Sequence, residues 1–444
     1  MLHTKFNAAF KKFQEDRSFN HATISLYVIN SATGKAVTSQ NIQVGMAPAS
    51  CQKVITASTA FELLGHDFTY KTTLAYYGKI KNGMLDGNIV VAGEGDPTLG
   101  SWRYDATNEE NTISNFKQAI LDQGINDISG HVVADESKWK SEVTPDGWIW
   151  QDIGSYYGAG ARAINWHENQ YDLFLKSGKK IGDSVEIITT DPSTVIGLNL
   201  KSLATSAQRG SGDNAYIYFP LDQQNSFVRG TIPVNENKFS IAGASPHPSN
   251  QLAATLEAAL KNKSLEDVLS DNSVLDNIDS AHVFYTYYSL PLDSIVYWFL
   301  KRSVNLYGEA LLKTMGYVRT TSGSADSGVS VVKNFWKEKG IESSALNIID
   351  GSGLSPGNRV TTASLVTVLQ YAKKQQWFHS FYNALPEING IKMKSGSIGG
   401  VVSYTGFIKS KTDEDYTFSF IINNYDGSAN DVRKKMWRLL DLLK

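Results

Sequence analysis

The sequence predicts a mixed α/β (α+β) protein: a domain of helices and antiparallel strands, interrupted by a large, mainly β insertion. Three observations predict it. The chain opens with a helix, two strands and a second helix, and it closes with helices, two long strands and a last helix. Between about residues 67 and 278 the texture changes to short alternating strands separated by Gly/Asp/Asn/Ser turns. With 444 residues the chain is too long for one ordinary core. The expected division is therefore 1–66 plus 279–444 for the split domain and 67–278 for the insertion, the latter long enough for two subdomains.

The elements follow in order. Residues 4–17 read as an amphipathic helix. ISLYVIN and AVTSQN read as strands joined by the turn SATGK. After Pro48, the run from Ser50 to Leu64 reads as a helix closed by Gly65. Val54, Ile55, Ala57, Ala60, Phe61 and Leu64 surround most of it, so it is expected to be buried. In the insertion, NIVVAGEGDPT, HVVADESKW, SVEIITT and AYIYFP carry the strand pattern. Helical spacing returns at LDSIVYWFLKRSVN, at LYGEALLKTMG and near 361–377. KMKSGSIGGVVSYTGFIKS and DYTFSFIINNY then read as strands, and DVRKKMWRLLDLLK as the closing helix. No internal repeat is evident.

Composition excludes several functions. Hydrophobic residues at 41% and charged residues at 19% fit a packed globular chain, not a disordered one. A net charge of -2, without a basic run, leaves nucleic acid no electrostatic footprint. No apolar stretch approaches the roughly 20 residues of a transmembrane helix. Cys51 is the single cysteine, which rules out intramolecular disulfides and cysteine-based zinc sites. The first residues lack the apolar centre of a signal peptide. Two compartments therefore stay open, the cytoplasm or an exported location after removal of a leader. No metal or other cofactor is expected.

Three short patterns carry chemistry: Ser50-x-x-Lys53, Ser303-x-Asn305 and Lys394-Ser395-Gly396. In this order they form a known serine acyl-transfer signature. Each alone is weak. Ser-x-x-Lys recurs at Ser114, Ser137, Ser177 and Ser330, Ser-x-Asn at Ser18 and Ser270, and Lys-Ser-Gly at Lys176. Context separates them. One helical turn places the Ser50 hydroxyl and the Lys53 amine on one face. A helix N-terminus offers free N–H groups to a developing oxyanion, and a buried lysine loses its proton more readily. Ser177 and Lys180 lie in a polar turn, and Ser330 opens an ordinary amphipathic helix. Ser303 lies between two amphipathic stretches, whereas Ser270 lies in a polar loop. Lys394 to Ser397 begin a strand on which Gly396 permits close backbone approach, so a peptide can pair with its edge while Lys394 attracts a carboxylate.

Other chemistries fit poorly. Gly353-Leu354-Ser355-Pro356-Gly357 matches a nucleophile elbow in letters, but Pro356 has no N–H for an oxyanion. His167-Glu168 begins like a zinc motif, yet Tyr171 stands where the second histidine belongs. AGEGDP at 92–97 misses the dinucleotide-binding spacing.

With these motifs, the chain resembles the D-Ala-D-Ala carboxypeptidase/endopeptidase family, the class C low-molecular-mass penicillin-binding proteins. PASCQKVITA, SLPLDSIVYWFLKRSVNLYGEALLKTMG, DGSGLS at 350–355 and KSGSIGGVVSYTGFI carry the resemblance, and GDPTL and GWIWQD fit its inserted region. It implies a β-lactamase/transpeptidase-like catalytic domain. It also implies Ser50 as the acylated nucleophile, Lys53 as its base, and Ser303 and Asn305 as proton shuttle and amide contact. Lys394 and Ser395, beside Gly396, would bind a terminal carboxylate, and the N–H groups of Ser50 and Ser397 would form the oxyanion hole. Asp152 matches a position that can receive a free amine, Tyr157 is a further cleft residue, and Asp350 and Ser352 shape the bordering loop.

The implied substrates are peptidoglycan stem peptides ending in D-Ala-D-Ala, with β-lactams as covalent inhibitors, and the implied location is the periplasm. Carboxypeptidase and endopeptidase action both stay open. The rivals are a β-lactamase or esterase on the same scaffold and a silent peptidoglycan-binding module. Two departures stand out: Lys-Ser-Gly replaces Lys-Thr-Gly, which keeps the hydroxyl, and Pro356 occupies a position often held by arginine.

Overall fold

The computed structural model describes residues 2–139, 142–221, 225–269, 281–411 and 414–444. The boundary expected at 278/279 and the alternative serine Ser270 lie outside the described residues. Two compact units emerge: residues 1–68, 145–147 and 291–444 form the first, and residues 69–144 and 148–290 the second. The short piece 145–147 belongs to the first unit partly because the Gly147 carbonyl accepts the Ser355 hydroxyl at 2.9 Å.

The first unit contains α1 (Leu2–Gln14), β1 (Thr23–Asn30), β2 (Ala36–Gln40) and α2 (Lys53–Leu64). After the second unit come α3 (Leu292–Lys301), α4 (Asn305–Thr320), α5 (Ala325–Glu338), α6 (Thr362–Ala372) and α7 (Phe378–Ala384). Strands β3 (Ile391–Ile398), β4 (Val401–Lys409) and β5 (Asp415–Asn423) and helix α8 (Ala429–Leu440) complete it. The opening helix ends three residues before the expected Arg17, because Asp16 caps a separate turn by accepting the Ser18 N–H at 2.9 Å.

The sheet is antiparallel, with β3, β4, β5, β1 and β2 in that order and the two-residue strand Glu387–Ile388 outside the start of β3. The first strand thus pairs with the last, Thr23 opposite Asn423 through Asn30 opposite Tyr416. Period-two alternation sends Leu26, Val28, Phe418 and Phe420 to one face. There they meet Phe6 and Phe10 of α1 and Val432, Met436 and Leu439 of α8. Each such large side chain contributes roughly 1.5–3 kcal/mol by leaving water. The opposite face carries Ser25, Thr417 and Ser419 and packs against α6, with the Ser25 and Thr362 hydroxyls 2.7 Å apart. Helix α2 runs among α3, α4, α5 and α6, so its residues Lys53–Phe61 are all buried.

The second unit has two cores. One lies between a five-stranded sheet, which includes Lys71–Lys81, Met84–Gly93 and His282–Tyr288, and the helices Glu109–Asp122 and Pro248–Lys261. The other joins a three-stranded sheet around Gln170–Lys176 to a four-stranded sheet around Ser226–Pro233. The two 14-residue helices go beyond the strand-and-turn texture read from this region.

Candidate active site

The site begins at a turn. Residues Ala49–Gln52 form one turn of 3₁₀-helix before α2, not the first turn of a continuous α-helix. The tighter winding brings positions i and i+3 nearly into line, and the Lys53 Nζ lies 2.9 Å from the Ser50 Oγ. Ala49 enters the turn at φ 45°, a left-handed conformation that costs a non-glycine residue energy and is held by its surroundings. Part of that hold comes from Gly353 (φ 83°), where a Cβ would stand 2.0 Å from the Ala49 carbonyl oxygen. Ser403 also donates to the Pro48 carbonyl at 2.6 Å, tying β4 to the same turn.

Lys53 is fully buried. Its Nζ contacts three oxygens: Ser50 Oγ at 2.9 Å, Asn305 Oδ1 at 2.6 Å and the Ser352 carbonyl at 2.7 Å. Counting hydrogens explains the consequence. A neutral amine has two N–H donors and one lone pair. The amide and carbonyl oxygens only accept, so they take both donors and leave the lone pair for the Ser50 hydroxyl proton. Burial, reinforced by the charge of Lys394, holds the Lys53 amine well below the usual lysine range, against the opposing pull of Asp350 and Glu309.

Asp350 organises the loop that supplies the Ser352 carbonyl. Its Oδ1 accepts from the Gly353 N–H at 2.8 Å, Asn358 Nδ2 at 3.0 Å and Gln52 Nε2 at 3.1 Å, and its Oδ2 accepts from the Ser355 N–H at 2.6 Å. Four donors compensate a carboxylate that is completely buried. Gln52, the residue just before Lys53, thereby ties this loop to the nucleophile's turn.

On the other side of the turn lies β3. Gly396 packs against it so closely that a Cβ would stand 2.8 Å from the Ser50 nitrogen, 2.7 Å from the Pro48 oxygen and 2.4 Å from Ser403 Oγ. Only glycine allows this approach, which seats Gly396, one residue before Ser397, against the Ser50 peptide. Ser395 is partly buried, and Ser397 is exposed. Among the described residues, Glu387–Ile388 covers only Ile391 and Lys392 on the outer side of β3, so the edge from Lys394 to Ile398 has no strand partner.

Lys394 is 1% exposed, not a surface edge lysine. Its Nζ donates to the Ser395 carbonyl at 2.8 Å, and burial lowers its amine to about 8. The sign of the resulting stability effect is definite. Between about pH 8 and the lysine value of 10.5, the unfolded chain holds a proton that the folded one has lost, so unfolding becomes costlier as pH rises. We expect Lys394→Met to stabilise the fold at pH 7 by up to ~3 kcal/mol of relieved desolvation less the lost Ser395 bond, read as a higher thermal midpoint, and to flatten the midpoint's rise across that window. An unchanged midpoint and an unchanged pH slope would count against a strained buried amine. Cys51, the nearest alternative nucleophile, is buried, donates to the Lys394 carbonyl at 3.2 Å, and has its thiol pushed up to about 11 by burial.

The structure thus brings Ser50, Lys53, Asn305 and Ser352 into direct contact and sets Lys394–Ser397 along the same turn. Ser303 occupies the turn between α3 and α4, half-buried and at φ 59°, two residues before Asn305. Asp152 and Tyr157 belong to the second unit, where the Tyr157 hydroxyl donates to Asp152 Oδ1 at 3.4 Å and burial raises both groups. The rival motifs have structural employment. Ser330 is exposed on α5, Ser177 accepts from the Glu236 N–H at 2.9 Å, and Ser355 is buried in the Asp350 loop. Glu168 is clamped by Arg103 at 2.6 and 2.8 Å. The sequence motifs do not single out Glu309, a buried acid one turn after Asn305. Its one signal in the sequence is a charge within the apolar run LYGEALL.

The D-Ala-D-Ala carboxypeptidase 3 (S13) family matches residues 6–391. A D-alanyl-D-alanine carboxypeptidase from an Actinomadura species is 25% identical over 94% of this chain and 80% of its own length. D-alanyl-D-alanine carboxypeptidase DacB of Haemophilus influenzae is 26% identical over 88% of this chain and 83% of its own. Among solved structures, penicillin binding protein 4 (dacB) from Haemophilus influenzae superposes with a TM-score of 0.77 at 22% identity, covering 98% of this chain and 97% of that one. The expected architecture, an antiparallel sheet with helices interrupted by an insertion, is therefore the fold of that protein.

Proposed function

The chain belongs to the D-Ala-D-Ala carboxypeptidase 3 family, and from that premise we propose how its own residues carry out the reaction. The protein is a serine-type DD-peptidase, a hydrolase. One observation carries the assignment of roles: the buried Lys53 Nζ lies 2.9 Å from Ser50 Oγ and within hydrogen-bond distance of the Asn305 and Ser352 oxygens, which can only accept, so a neutral amine there keeps its lone pair for the Ser50 proton.

In the proposed course, a stem peptide ending in D-Ala-D-Ala lies along the free edge of β3 as an added strand. Lys394 and the Ser395 hydroxyl receive its terminal carboxylate. Ser50 Oγ attacks the carbonyl of the penultimate D-Ala while Lys53 takes its proton. The N–H groups of Ser50 and Ser397 receive the oxyanion, and Gly396 leaves room for both to reach it. The proton returns through Ser303 to the departing D-Ala amine, with Asn305 holding both Lys53 and the substrate amide. Water then hydrolyses the ester, and the same groups act in reverse. A β-lactam presents a carboxylate and a strained amide to the same groups and becomes an acyl ester on Ser50. The crystal structure of the Haemophilus influenzae protein in complex with a β-lactam supports this reading by fold. Asp152, beside Tyr157, is the candidate contact for a free amine on the stem peptide.

Peptidoglycan lies outside the cytoplasmic membrane, which supports a periplasmic site of action. No described helix is long and apolar enough to cross a membrane. The test is intact mass after incubation with benzylpenicillin, followed by D-Ala release from a pentapeptide and cleavage of a crosslinked dimer. We expect one slowly hydrolysed adduct and turnover of at least one peptide, with the ratio of the two peptide rates assigning carboxypeptidase or endopeptidase preference. Rapid turnover of the drug without peptide cleavage would indicate a β-lactamase, and no adduct a silent binding module.

A further inference from the structure

Glu309 lies on α4, one turn after Asn305, and is 1% exposed. Its Oε2 accepts from the Gly351 N–H at 3.0 Å, and its Oε1 has no hydrogen-bond partner among the described residues. The contact is tight: a Cβ on Gly351 would stand 2.2 Å from the Gly308 carbonyl oxygen, so helix and loop meet backbone to backbone. The adjacent Ser352 carbonyl accepts from Lys53 at 2.7 Å, and the Gly351 carbonyl accepts from Thr56, one turn along the lysine's own helix, at 2.7 Å. Two residues, Gly351 and Ser352, therefore connect the glutamate to the base.

We propose that Glu309 is a positioning residue for acylation that also sets the strength of the base. When neutral, it pins the Gly351–Ser352 backbone that orients Lys53. When ionised, it stabilises the ammonium that forms on Lys53 as Ser50 loses its proton, and acylation accelerates. The proposal rests on the roles given above to Ser50 and Lys53.

The charges facing Glu309 are Asp350 from the loop and Lys53 from α2, and Lys313, one turn further along α4, is buried as well. Burial, then the Asp350 charge, raises the Glu309 carboxyl to about 8, while the Ser352 hydroxyl, the Gly351 N–H and Lys53 pull it back. It is thus neutral at pH 7 and becomes an anion near pH 8. That anion increases the proton affinity of Lys53, whose amine burial holds well below the usual lysine range, and a stronger base takes the hydroxyl proton faster.

The test separates the acylation rate at saturating benzylpenicillin from the binding constant, between pH 6 and 9.5. At saturation the drug's carboxylate keeps Lys394 charged, so Lys394 titration enters the binding constant and not the rate. For the wild-type protein we expect the rate to rise ~3- to 10-fold between pH 7 and 9. Glu309→Gln should lie within about threefold of wild type at pH 7 and rise less than wild type to pH 9, because a permanently neutral group cannot strengthen the base. Glu309→Ala should be slower by at least about tenfold throughout, because the Gly351 N–H loses its buried acceptor. A rise in Glu309→Gln equal to that of wild type, or an alanine variant as fast as wild type, would overturn the proposal. A wild-type protein that acylates normally with a flat profile would overturn it without any variant. Absence of a Ser50 adduct in wild type would instead refute the parent reading and this inference with it.

Discussion

Alanine at position 50 is expected to abolish the penicillin adduct and to lower D-Ala release by at least about 10⁴-fold, with the fold intact. The change removes one oxygen from a half-buried position, and Lys53 keeps its bonds to Asn305 and Ser352. The stability effect should therefore stay near 1 kcal/mol or below. No neighbour can substitute. Ser352 meets Lys53 through its carbonyl, Ser355 is buried and bonded to Gly147, and the Cys51 thiol is held protonated by burial. Lys394 and the β3 edge are untouched, so the drug should still bind reversibly and compete with peptide. Intact mass and a D-Ala release assay decide the point. An adduct of unchanged yield on Ser50→Ala would mean that another serine is the nucleophile.

Ser50 is legible in the sequence because of the residues that follow it. Five Ser-x-x-Lys patterns share the same letters, and full burial sets Lys53 apart from Lys117, Lys180 and Lys333. The apolar residues Val54, Ile55, Ala57, Ala60 and Phe61 encode that burial locally, since they leave α2 no polar face to turn to water. The flanking strands are legible for a similar reason, because alternation along Thr23–Asn30 and Asp415–Asn423 is a local signal even though the two pair across nearly the whole chain.

Other features depend on contacts that no local pattern records. Helices Glu109–Asp122 and Pro248–Lys261 are hidden in a region dominated by turn residues, and each owes its buried face to a sheet assembled from strands spread between Lys71 and Tyr288. The 3₁₀ winding at Ala49–Gln52 and the left-handed Ala49 follow from Gly353 and Gly396 pressing on that turn. Asp350 reads as one loop aspartate among many until its four donors are assembled from Gln52, Gly353, Ser355 and Asn358. Glu309 reads as a helix charge, and only tertiary packing makes it a buried acid beside the base.

Lys53→Met is the second large effect and the sharper test of mechanism. Methionine fills similar volume and cannot take a proton, so acylation should fall by about 10²–10⁴-fold, the range of a positioned general base. The pH dependence should change with it. In the wild-type protein the rate climbs as the Lys53 ammonium loses its proton, at a pH well below the ordinary lysine value because burial and Lys394 disfavour the charge. The methionine variant has no such group, so this acid limb should vanish and leave a slow, flat profile. Stability moves for two opposing reasons. The Asn305 Oδ1 and Ser352 carbonyl lose a donor, at about 1–3 kcal/mol each. The protein, however, no longer buries an amine that prefers water. The net shift in thermal midpoint should be small beside the loss of rate, which separates a catalytic defect from a folding defect. Quenched-flow acylation across pH, with thermal unfolding of the same samples, measures both. A methionine variant that keeps the wild-type acid limb would assign the essential base to another group, and a rate within tenfold of wild type would remove Lys53 from the proton transfer altogether.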